Sequence, residues 1–346
     1  MQTAHSTRPI VRRLLLSAAA TLATLLLAEV VVRALGLAPK LVPIPIGDLK
    51  VITDRELIWV NNPGSDDIDE LGFRGREVER PKRRQRILVL GDSVAFGTGL
   101  DEAASIPRRL EHALAERGIE GEVLNGGVPG YDSTQEARAL ELLDPEVDPD
   151  LVLVVYCLND AFTTPGFPEF LKRSALRAGK HADVAELLSL ARGSAFEHWL
   201  TDTSHLARLI RGWRSSAGVD RRESRETIRD LGFAKAVRDL ARVESAFLRI
   251  GAWRSTAGVP VYVAIAPLFR LKGDSYSEPD VHASVAKLAE RAGLVVIDPL
   301  PAVLDYVKRT GHDLAQDSDA VHPTAEGAEV VATALAEQLA PELRSR

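Results

Sequence analysis

The chain has 346 residues, of which 45% are hydrophobic and 27% are charged, a composition typical of folded globular proteins rather than disordered chains. Its net charge of −6 gives no electrostatic basis for binding a polyanion, so we expect no nucleic-acid partner. The single cysteine, Cys157, excludes an intrachain disulfide, and its place in an apolar run predicts a thiol that packs as a small hydrophobic group.

An apolar N-terminal stretch runs from residue 14 to 37 and is long enough to cross a bilayer as one helix. Glu29 and Arg33 interrupt it four residues apart, on one helical face, where they can neutralise each other. We interpret 14–37 as a retained transmembrane signal-anchor. The alternative is a cleaved signal peptide, because residues 14–28 have the length of an apolar signal core.

The flanks of this stretch predict its orientation. The arginines that precede it are Arg8, Arg12 and Arg13. Their excess places residues 1–13 in the cytoplasm and the rest of the chain outside it, in the periplasm or at the cell surface, although Arg33 and Lys40 weaken the asymmetry. Prolines at positions 39, 43 and 45 then favour an extended stalk or linker over residues 38–70.

Short apolar runs rich in β-branched residues alternate with helical patterns over the remainder, residues 71–346. The runs are 87–90, 123–124, 151–156, 261–266 and 294–297, and helical spacing is found at 106–114 and 234–250. Gly258 and Pro260 are expected to end the second helix and begin the next strand. This alternation predicts parallel strands joined by crossover helices, and the absence of a polar face predicts strands that are covered on both sides. The predicted fold is a three-layer, doubly wound, flavodoxin-like α/β domain of about five parallel strands.

One connection in this domain is far longer than a crossover requires. About 100 residues separate Asp160 from Val261, which predicts a helical insertion over 161–233. The insertion follows Asn159 and Asp160 at the carboxyl end of a strand, where open α/β sheets bind ligands. It is therefore either a lid over the site or a helical subdomain packed against the sheet edge.

Two motifs at opposite ends of the domain suggest nucleophilic catalysis. Ser93, in Gly91-Asp92-Ser93, ends an apolar β-run at the point where a helix is expected to begin, and Asp319 and His322 lie three residues apart before the last helix. A serine hydroxyl is a weak nucleophile that needs a neighbouring base, and the base needs a partner to fix its tautomer. These residues supply all three groups.

Two further motifs complete a pattern. They are the run 125–130, Asn-Gly-Gly-Val-Pro-Gly, and the pair Asn159-Asp160. In this order the four motifs resemble the SGNH, or GDSL-type, serine hydrolases from about residue 71 to the C-terminus, and the segment 71–75 is similar to membrane-tethered bacterial members. The resemblance implies a Ser93 nucleophile, a His322 general base and an orienting Asp319. It also implies an oxyanion hole built from the N–H groups of Ser93 and Gly130 and the side-chain amide of Asn159.

Each assignment has a structural alternative. Ser93 is also suited to be a helix N-cap, His322 to be a surface histidine, and Asn159 and Gly130 to be turn residues. We favour the functional interpretations because the motifs occur together and in order. We also expect Asp92 and Asp160 to brace loops by hydrogen bonding rather than to transfer protons.

Neighbouring residues compete for some of these roles. Asp313 and Asp317 are rivals of Asp319 without its spacing from His322. The glycines that compete with Gly130 are Gly126 and Gly127. Many relatives carry glycine where this chain has Cys157, so this side chain either narrows the pocket or packs below it.

The sequence thus predicts a membrane-anchored, extracytoplasmic serine esterase that forms an acyl-enzyme and acts on a glycan or lipid ester. Two alternatives remain open: an O-acyltransferase acting on cell-envelope glycans with the same triad, and a non-catalytic binding or assembly module at the cell surface. No histidine and cysteine cluster has metal-ligand spacing, and Gly97-Thr98-Gly99 lacks a full dinucleotide fingerprint, so neither a metal nor a cofactor is implied.

Overall fold

The computed structural model of the protein describes residues 8–37, 50–54, 56–161, 200, 203–207, 209–210, 240–271, 275–316 and 321–345. Its strands are β1 (Val51–Thr53), β2 (Trp59–Asn61), β3 (Gln85–Gly91), β4 (Gly121–Gly127), β5 (Leu151–Tyr156), β6 (Val261–Ile265) and β7 (Val295–Ile297). Its helices are α1 (Arg8–Ala34), α2 (Ser93–Phe96), α3 (Ile106–Glu116), α4 (Ser133–Val147), α5 (Ala241–Ala257), α6 (Pro279–Arg291), α7 (Leu300–Thr310) and α8 (Ala325–Arg344). Short 3₁₀ turns lie at Glu102–Ala104 and Leu158–Ala161.

The central sheet has five strands in the order β4-β3-β5-β6-β7, and every neighbouring pair is parallel. Alternate residues of each strand enter two separate hydrophobic clusters. Leu88 and Val154 join the cluster that contains residues of α4, α5 and α6, whereas Ile87 and Leu153 join the cluster that contains residues of α3, α7 and α8. Helices therefore cover both faces of the sheet, which confirms the predicted three-layer, doubly wound α/β fold.

The strand order also fixes where a site can form. From β3 the chain crosses to one neighbour, β4, and then returns to the other side of β3 to form β5. In a doubly wound sheet, this reversal leaves a crevice at the carboxyl ends of the two central strands. The turn after β3 carries Ser93, and the turn after β5 carries Asn159.

The predicted strand positions are confirmed, and β5 has the predicted bounds. One helix differs: α5 spans Ala241–Ala257, whereas 234–250 was expected. Residues 234–239 lie outside the described part of the chain. The expected end relied on the last apolar residue of the pattern, but the helix continues to the first residue that stops it, Gly258, which is left-handed with φ +71°. Pro260 then precedes β6, as predicted.

The structure differs from the predicted stalk over 38–70 at residues 50–54 and 56–70, which belong to the folded domain. Here β1 and β2 form an antiparallel hairpin, and Val51 and Trp59 are buried in the same hydrophobic cluster as Leu88. The prolines that suggested an extended linker lie at positions 39, 43 and 45, outside the described residues. The hairpin is thus part of the folded domain, because its apolar side chains are buried against it.

The helix α1 contains a 20-residue apolar span, Leu15–Ala34, that is long enough to cross a membrane. A cleaved signal sequence near an N-terminus has the same length and composition, so this feature alone does not separate the two. Most of the predicted insertion 161–233, including its expected amphipathic helices, lies outside the described residues.

Candidate active site

The tight turn between β3 and α2 exposes the candidate nucleophile. Gly91 packs so closely on β5 that a Cβ there would lie 2.7 Å from the carbonyl oxygen of Val155. The N-cap of α2 is Asp92, whose Oδ1 accepts a hydrogen bond from the Val94 N–H at 2.8 Å. The capping alternative for Ser93 is therefore not observed: Ser93 is the first residue of the helix, and its hydroxyl is available for another partner.

That partner is a residue from the other end of the domain. The Oγ of Ser93 lies 2.9 Å from Nε2 of His322, and both side chains are half-buried. Oγ also lies 3.2 Å from Oδ2 of Asp92, a longer contact. The structure thus brings together the serine and the histidine that the sequence paired, at a distance suited to proton transfer.

The loop that carries His322 is held against the turn after α2 by Gln316. The side-chain amide of Gln316 donates to the carbonyl of Thr98 at 2.8 Å and to that of Pro323 at 2.9 Å, and its backbone N–H donates to the carbonyl of His322 at 2.9 Å. One glutamine thus connects the histidine loop to the serine turn. No motif in the sequence indicates this role for Gln316, because its partners are backbone carbonyls whose positions depend on the folded loops.

The predicted acid, Asp319, and its rival Asp317 lie outside the described residues. The third candidate, Asp313, is described. Its Oδ1 accepts from the Ala315 N–H at 3.0 Å, and its Oδ2 lies 3.4 Å from Nε of Arg270. The carboxylate of Asp313 is therefore engaged in a local turn and a surface ion pair.

Asn159 lies in the 3₁₀ turn after β5, beside the serine turn. Its Nδ2 donates to Oδ2 of Asp92 at 2.8 Å, which leaves a second hydrogen on the same amide nitrogen. Asp160 braces this turn by accepting from the Cys157 N–H at 2.6 Å. Asp92 and Asp160 therefore do make the loop-bracing hydrogen bonds that the sequence predicted.

Gly130 occupies the third position of a tight turn after β4. The Tyr131 N–H donates to the Val128 carbonyl at 3.2 Å, Pro129 precedes the glycine, and Gly130 has φ +82°, a combination typical of a type II turn. The Val128 N–H in turn donates to the carbonyl of Gly91 at 3.0 Å, which ties this turn to the end of β3.

Two backbone N–H groups are predicted donors of the oxyanion hole. Within the part of the chain that the structure describes, the N–H groups of Ser93 and Gly130 make no hydrogen bond. The competing glycines, Gly126 and Gly127, lie inside β4. The Gly127 N–H donates to Oδ1 of Asn125 at 3.1 Å, and a Cβ at Gly127 would lie 2.3 Å from the backbone nitrogen of Phe96, so this glycine serves packing.

The hairpin β1–β2 supports the Gly130 turn. Nε1 of Trp59 donates to the carbonyl of Pro129 at 3.0 Å, and the hydroxyl of Tyr131 donates to the carbonyl of Trp59 at 2.8 Å. Nδ2 of Asn61 donates to the carbonyl of Gly127 at 2.9 Å. The segment predicted as a stalk therefore fixes the position of a predicted oxyanion donor.

Arg74 supports the serine turn from behind and is buried, with 7% of its surface exposed. Its guanidinium donates to the carbonyls of Phe96 and Gly97 at 2.8 and 2.9 Å and to that of Leu100 at 2.8 Å, and it pairs with Asp67 at 3.0 Å. These carbonyls end α2 and continue into the next loop. Arg74 is thus a positioning residue for the helix that begins with Ser93, a role that its sequence motif did not reveal.

A layer of buried acids lies beneath the site. Glu136, at the start of α4, is fully buried, and among the described residues neither of its carboxyl oxygens has a hydrogen-bond partner. Burial raises its pKa well above the usual value, and the negative charges of Asp92 and Asp132 raise it further. Burial similarly raises the pKa of Asp92 and, more strongly, that of Asp160. The protonated form of Glu136 is therefore favoured in the folded chain relative to the unfolded chain.

Cys157 is buried beneath the turn that carries Asn159, and burial raises the pKa of its thiol well above the usual value. It belongs to the hydrophobic cluster on the α3 and α8 face of the sheet. Of the two predicted possibilities, packing below the pocket is therefore the one observed.

The GDSL-like lipase/acylhydrolase family matches residues 89–330. The chain belongs to this family. The matched interval begins in β3 and ends in α8, so it contains Ser93, Gly130, Asn159 and His322 as well as the insertion. Residues 89–330 are therefore a hydrolase domain of the GDSL family.

The chain is also similar in sequence to a curated relative over a shorter stretch. The arylesterase of Vibrio mimicus is 41% identical over 86 residues, which are 24% of this GDSL hydrolase and 41% of the arylesterase. The chain therefore matches less than half of that relative's length.

Solved structures are also similar at low identity. TesA is 16% identical with a TM-score of 0.42, and the match covers 74% of this chain and 99% of TesA. The psychrotrophic esterase EstA from Pseudoalteromonas sp. is 13% identical with a TM-score of 0.43, and the match covers 75% and 99% of the two chains. The acetyl xylan esterase AlAXEase is 14% identical with a TM-score of 0.40, over 73% and 99%.

Proposed function

We propose that this GDSL hydrolase is a membrane-anchored, extracytoplasmic serine esterase in which Ser93 is the nucleophile and His322 the general base. The observation that carries the proposal is the 2.9 Å separation of Ser93 Oγ from His322 Nε2, at the carboxyl edge of the sheet. Both groups are half-buried, so a substrate reaches them while the surrounding residues restrict water.

The reaction follows from this geometry. His322 takes the proton of Ser93 as Oγ attacks the ester carbonyl, which forms a tetrahedral intermediate. As the intermediate collapses, the imidazolium of His322 gives this proton to the leaving oxygen, so the alcohol is released and an acyl-enzyme remains. Water activated by the same imidazole then releases the acid. Asp319 is proposed to hold the His322 ring in the required tautomer through its other nitrogen and to stabilise the imidazolium.

The negative charge that develops on the carbonyl oxygen requires donors placed in advance. We assign this role to the N–H groups of Ser93 and Gly130 and to the second amide hydrogen of Asn159, whose first hydrogen is donated to Asp92. The bond to Asp92 fixes the orientation of the Asn159 amide, so Nδ2 rather than Oδ1 faces the serine turn. None of these donors carries a charge that would disturb the base.

The proposed location rests on α1. Its apolar span, Leu15–Ala34, is preceded by an excess of arginine, which orients residues 1–13 toward the cytoplasm and the hydrolase outward. In this arrangement residues 14–37 are the anchor, and the insertion 161–233 belongs to the hydrolase domain. Mass spectrometry of the mature, membrane-extracted protein tests retention, because cleavage as a signal peptide would remove residues 1–28 or more.

The test of the chemistry is Ser93→Ala assayed on a short-chain p-nitrophenyl ester. We expect turnover to fall by at least about 10³-fold, with labelling by a fluorophosphonate probe abolished and the circular dichroism spectrum unchanged. The control is Ser255→Ala, which should retain full activity. Among the described residues, the hydroxyl of this α5 serine bonds only the Gly251 carbonyl of its own helix. Unchanged turnover or labelling in Ser93→Ala would refute Ser93 as the nucleophile. Failure of the folded native protein to react with the fluorophosphonate probe would favour a non-catalytic module.

Product analysis separates hydrolysis from acyl transfer to a sugar hydroxyl. The same residues serve both reactions, and they differ only in the acceptor that attacks the acyl-enzyme. We expect free acid as the product even at high polyol concentration, whereas an acylated polyol would establish the transferase.

A further inference from the structure

The two charged residues that interrupt the apolar helix α1 contact a segment of the insertion. Oε2 of Glu29 accepts from the hydroxyl of Ser204 and from the N–H of Leu206, both at 2.8 Å, and Oε1 accepts from the N–H of His205 at 2.9 Å. The carboxylate therefore receives three hydrogen bonds from consecutive residues more than 170 positions away in the sequence.

Arg33 completes the contact from the next turn of α1. Its guanidinium donates to Oε1 of Glu29 at 3.0 Å and to the carbonyl of Thr203 at 3.2 Å. The pair thus satisfies N–H groups and a C=O group of the same short segment, 203–206. Charge-assisted hydrogen bonds of this kind are stronger than neutral ones.

The contact is confined to one face of the helix. Val32, one turn from Glu29, is buried with 6% of its surface exposed, whereas the apolar side chains of Leu27, Val30 and Val31 on the other faces are exposed. Glu29, Val32 and Arg33 therefore form a single docking face at the carboxyl-terminal end of the apolar span. A helix that contacts only lipid needs no charged docking face. Charged groups in membrane helices usually pair with a specific partner.

We propose that this docking face fastens the insertion to the membrane helix, so that α1 is a structural part of the hydrolase as well as its anchor. The proposal rests on the retention of α1 under the proposed function. The insertion follows Asn159 in the sequence, so the contact with Glu29 joins the apolar helix to the connection between β5 and β6. Its occupant is segment 203–207 of the same chain.

Hydrogen exchange of the full-length protein in detergent micelles tests this contact directly. In the native chain, the amides of His205 and Leu206 should be protected, because both donate to Glu29. In Glu29→Ala they should exchange about tenfold faster or more, as expected for loss of hydrogen bonds to a charged acceptor. Glu29→Gln, which keeps an acceptor oxygen but loses the charge, should have an intermediate effect.

The matched control is Thr24→Ala. Within the part of the chain that the structure describes, the hydroxyl of Thr24 bonds only the Ala20 carbonyl of α1. This change therefore removes a polar group from the same helix and leaves the docking face intact. Its exchange at 205 and 206 should equal that of the native protein. Equal exchange in Glu29→Ala and native protein would overturn the proposal, and so would equal acceleration by Thr24→Ala.

The docking proposal and the catalytic proposal can be refuted separately. If the mature chain begins after residue 29, the docking face is absent and the inference is wrong, while the Ser93 experiment still reports on the esterase. If Ser93→Ala keeps full activity but exchange at 205 and 206 depends on Glu29, the docking contact stands and the catalytic proposal falls.

Discussion

The proposed active site has two layers that differ in their exposure to solvent and in how readily the sequence predicts them. The front layer consists of half-buried groups at the carboxyl edge of the sheet: Ser93, Gly130, Asn159 and His322. The back layer consists of buried polar residues that hold these groups in place: Asp92, Arg74, Trp59 and Glu136. Front residues are expected to affect the rate of reaction with little effect on folding. Substitutions in the back layer are expected to lower both the reaction rate and the stability of the fold. These side chains make buried hydrogen bonds or, in the case of Glu136, occupy a buried position where a charge is unfavourable.

The largest effect is expected from Asp319, the residue proposed to orient the base His322. Asp319→Asn should lower kcat/KM by about 10⁴-fold, because an amide no longer fixes the productive His322 tautomer or stabilises the imidazolium. Thermal stability should remain near that of the native protein. Asp313→Asn is the matched control, since the structure engages that carboxylate with Arg270, and it should keep activity within about twofold. A larger loss in the control than in Asp319→Asn would assign the acid to Asp313.

Arg74→Met tests the back layer most strongly. Loss of the guanidinium leaves the carbonyls of Phe96, Gly97 and Leu100 without their donor, and we expect the free energy of unfolding to fall by about 3 kcal/mol. Displacement of the serine turn should also lower kcat by about 10- to 100-fold, because small misplacements of a nucleophile are costly.

The control for this substitution is Arg117→Met. Arg117 also donates to a carbonyl near the end of a helix, that of Ala113 in α3, but it is more exposed and contacts no residue of the site. It should lower stability by about 1 kcal/mol or less and leave kcat unchanged. If Arg74→Met destabilises the protein but the folded fraction keeps native kcat, Arg74 has no positioning role.

Glu136→Gln tests the charge state of the buried acid layer. A carboxyl whose pKa is raised on folding binds its proton more tightly in the folded chain, so its contribution to stability is full below the usual pKa of 4.5 and is lost as pH rises through the folded pKa. Glutamine does not titrate, so the free energy of unfolding of Glu136→Gln should fall less steeply with rising pH than that of the native protein. The difference in slope should be up to about 1.4 kcal/mol per pH unit, measured by urea unfolding.

Glu141, on the same helix, should contribute to the pH dependence of stability with the opposite sign, and Glu141→Gln tests this. Hydrogen bonds from Arg249 and Arg138 lower the pKa of Glu141, so its contribution is present above the usual pKa and is lost as pH falls through the folded value. Parallel curves for native protein and Glu136→Gln at all pH values would show that Glu136 is ionised in the folded state or does not titrate in the range tested.

The smallest effect is expected from Trp59→Phe. The substitution removes the donor to the Pro129 carbonyl while retaining an aromatic ring, so stability should fall by about 1 kcal/mol. Loosening of the Gly130 turn should lower kcat by roughly tenfold, since one oxyanion donor is affected. Trp253→Phe loses a similar donor to Asp144 on α4 and should change stability only. Equal kcat values for the two variants would show that the β1–β2 hairpin does not position the Gly130 turn for catalysis.

Much of the fold and of the front layer is predictable because their signals are local. Each parallel strand is a continuous apolar run, and Ser93, Asn159 and His322 follow strands or precede a helix within short motifs. Gln316, Arg74 and Trp59 gave no comparable signal, because their partners are backbone carbonyls brought near by the tertiary fold. The hairpin is not predictable for the same reason. The prolines before it indicate an extended chain, whereas the burial of Trp59 depends on contacts with residues 129 and 131.

The burial of Cys157 has a practical consequence for studying this protein. Since the chain has one cysteine and its thiol is inaccessible with a raised pKa, maleimides and other thiol reagents should neither label nor inactivate the folded native enzyme. Spectroscopic probes can then be placed on engineered surface cysteines without first removing the native one. The sheet beneath the active site would be left undisturbed.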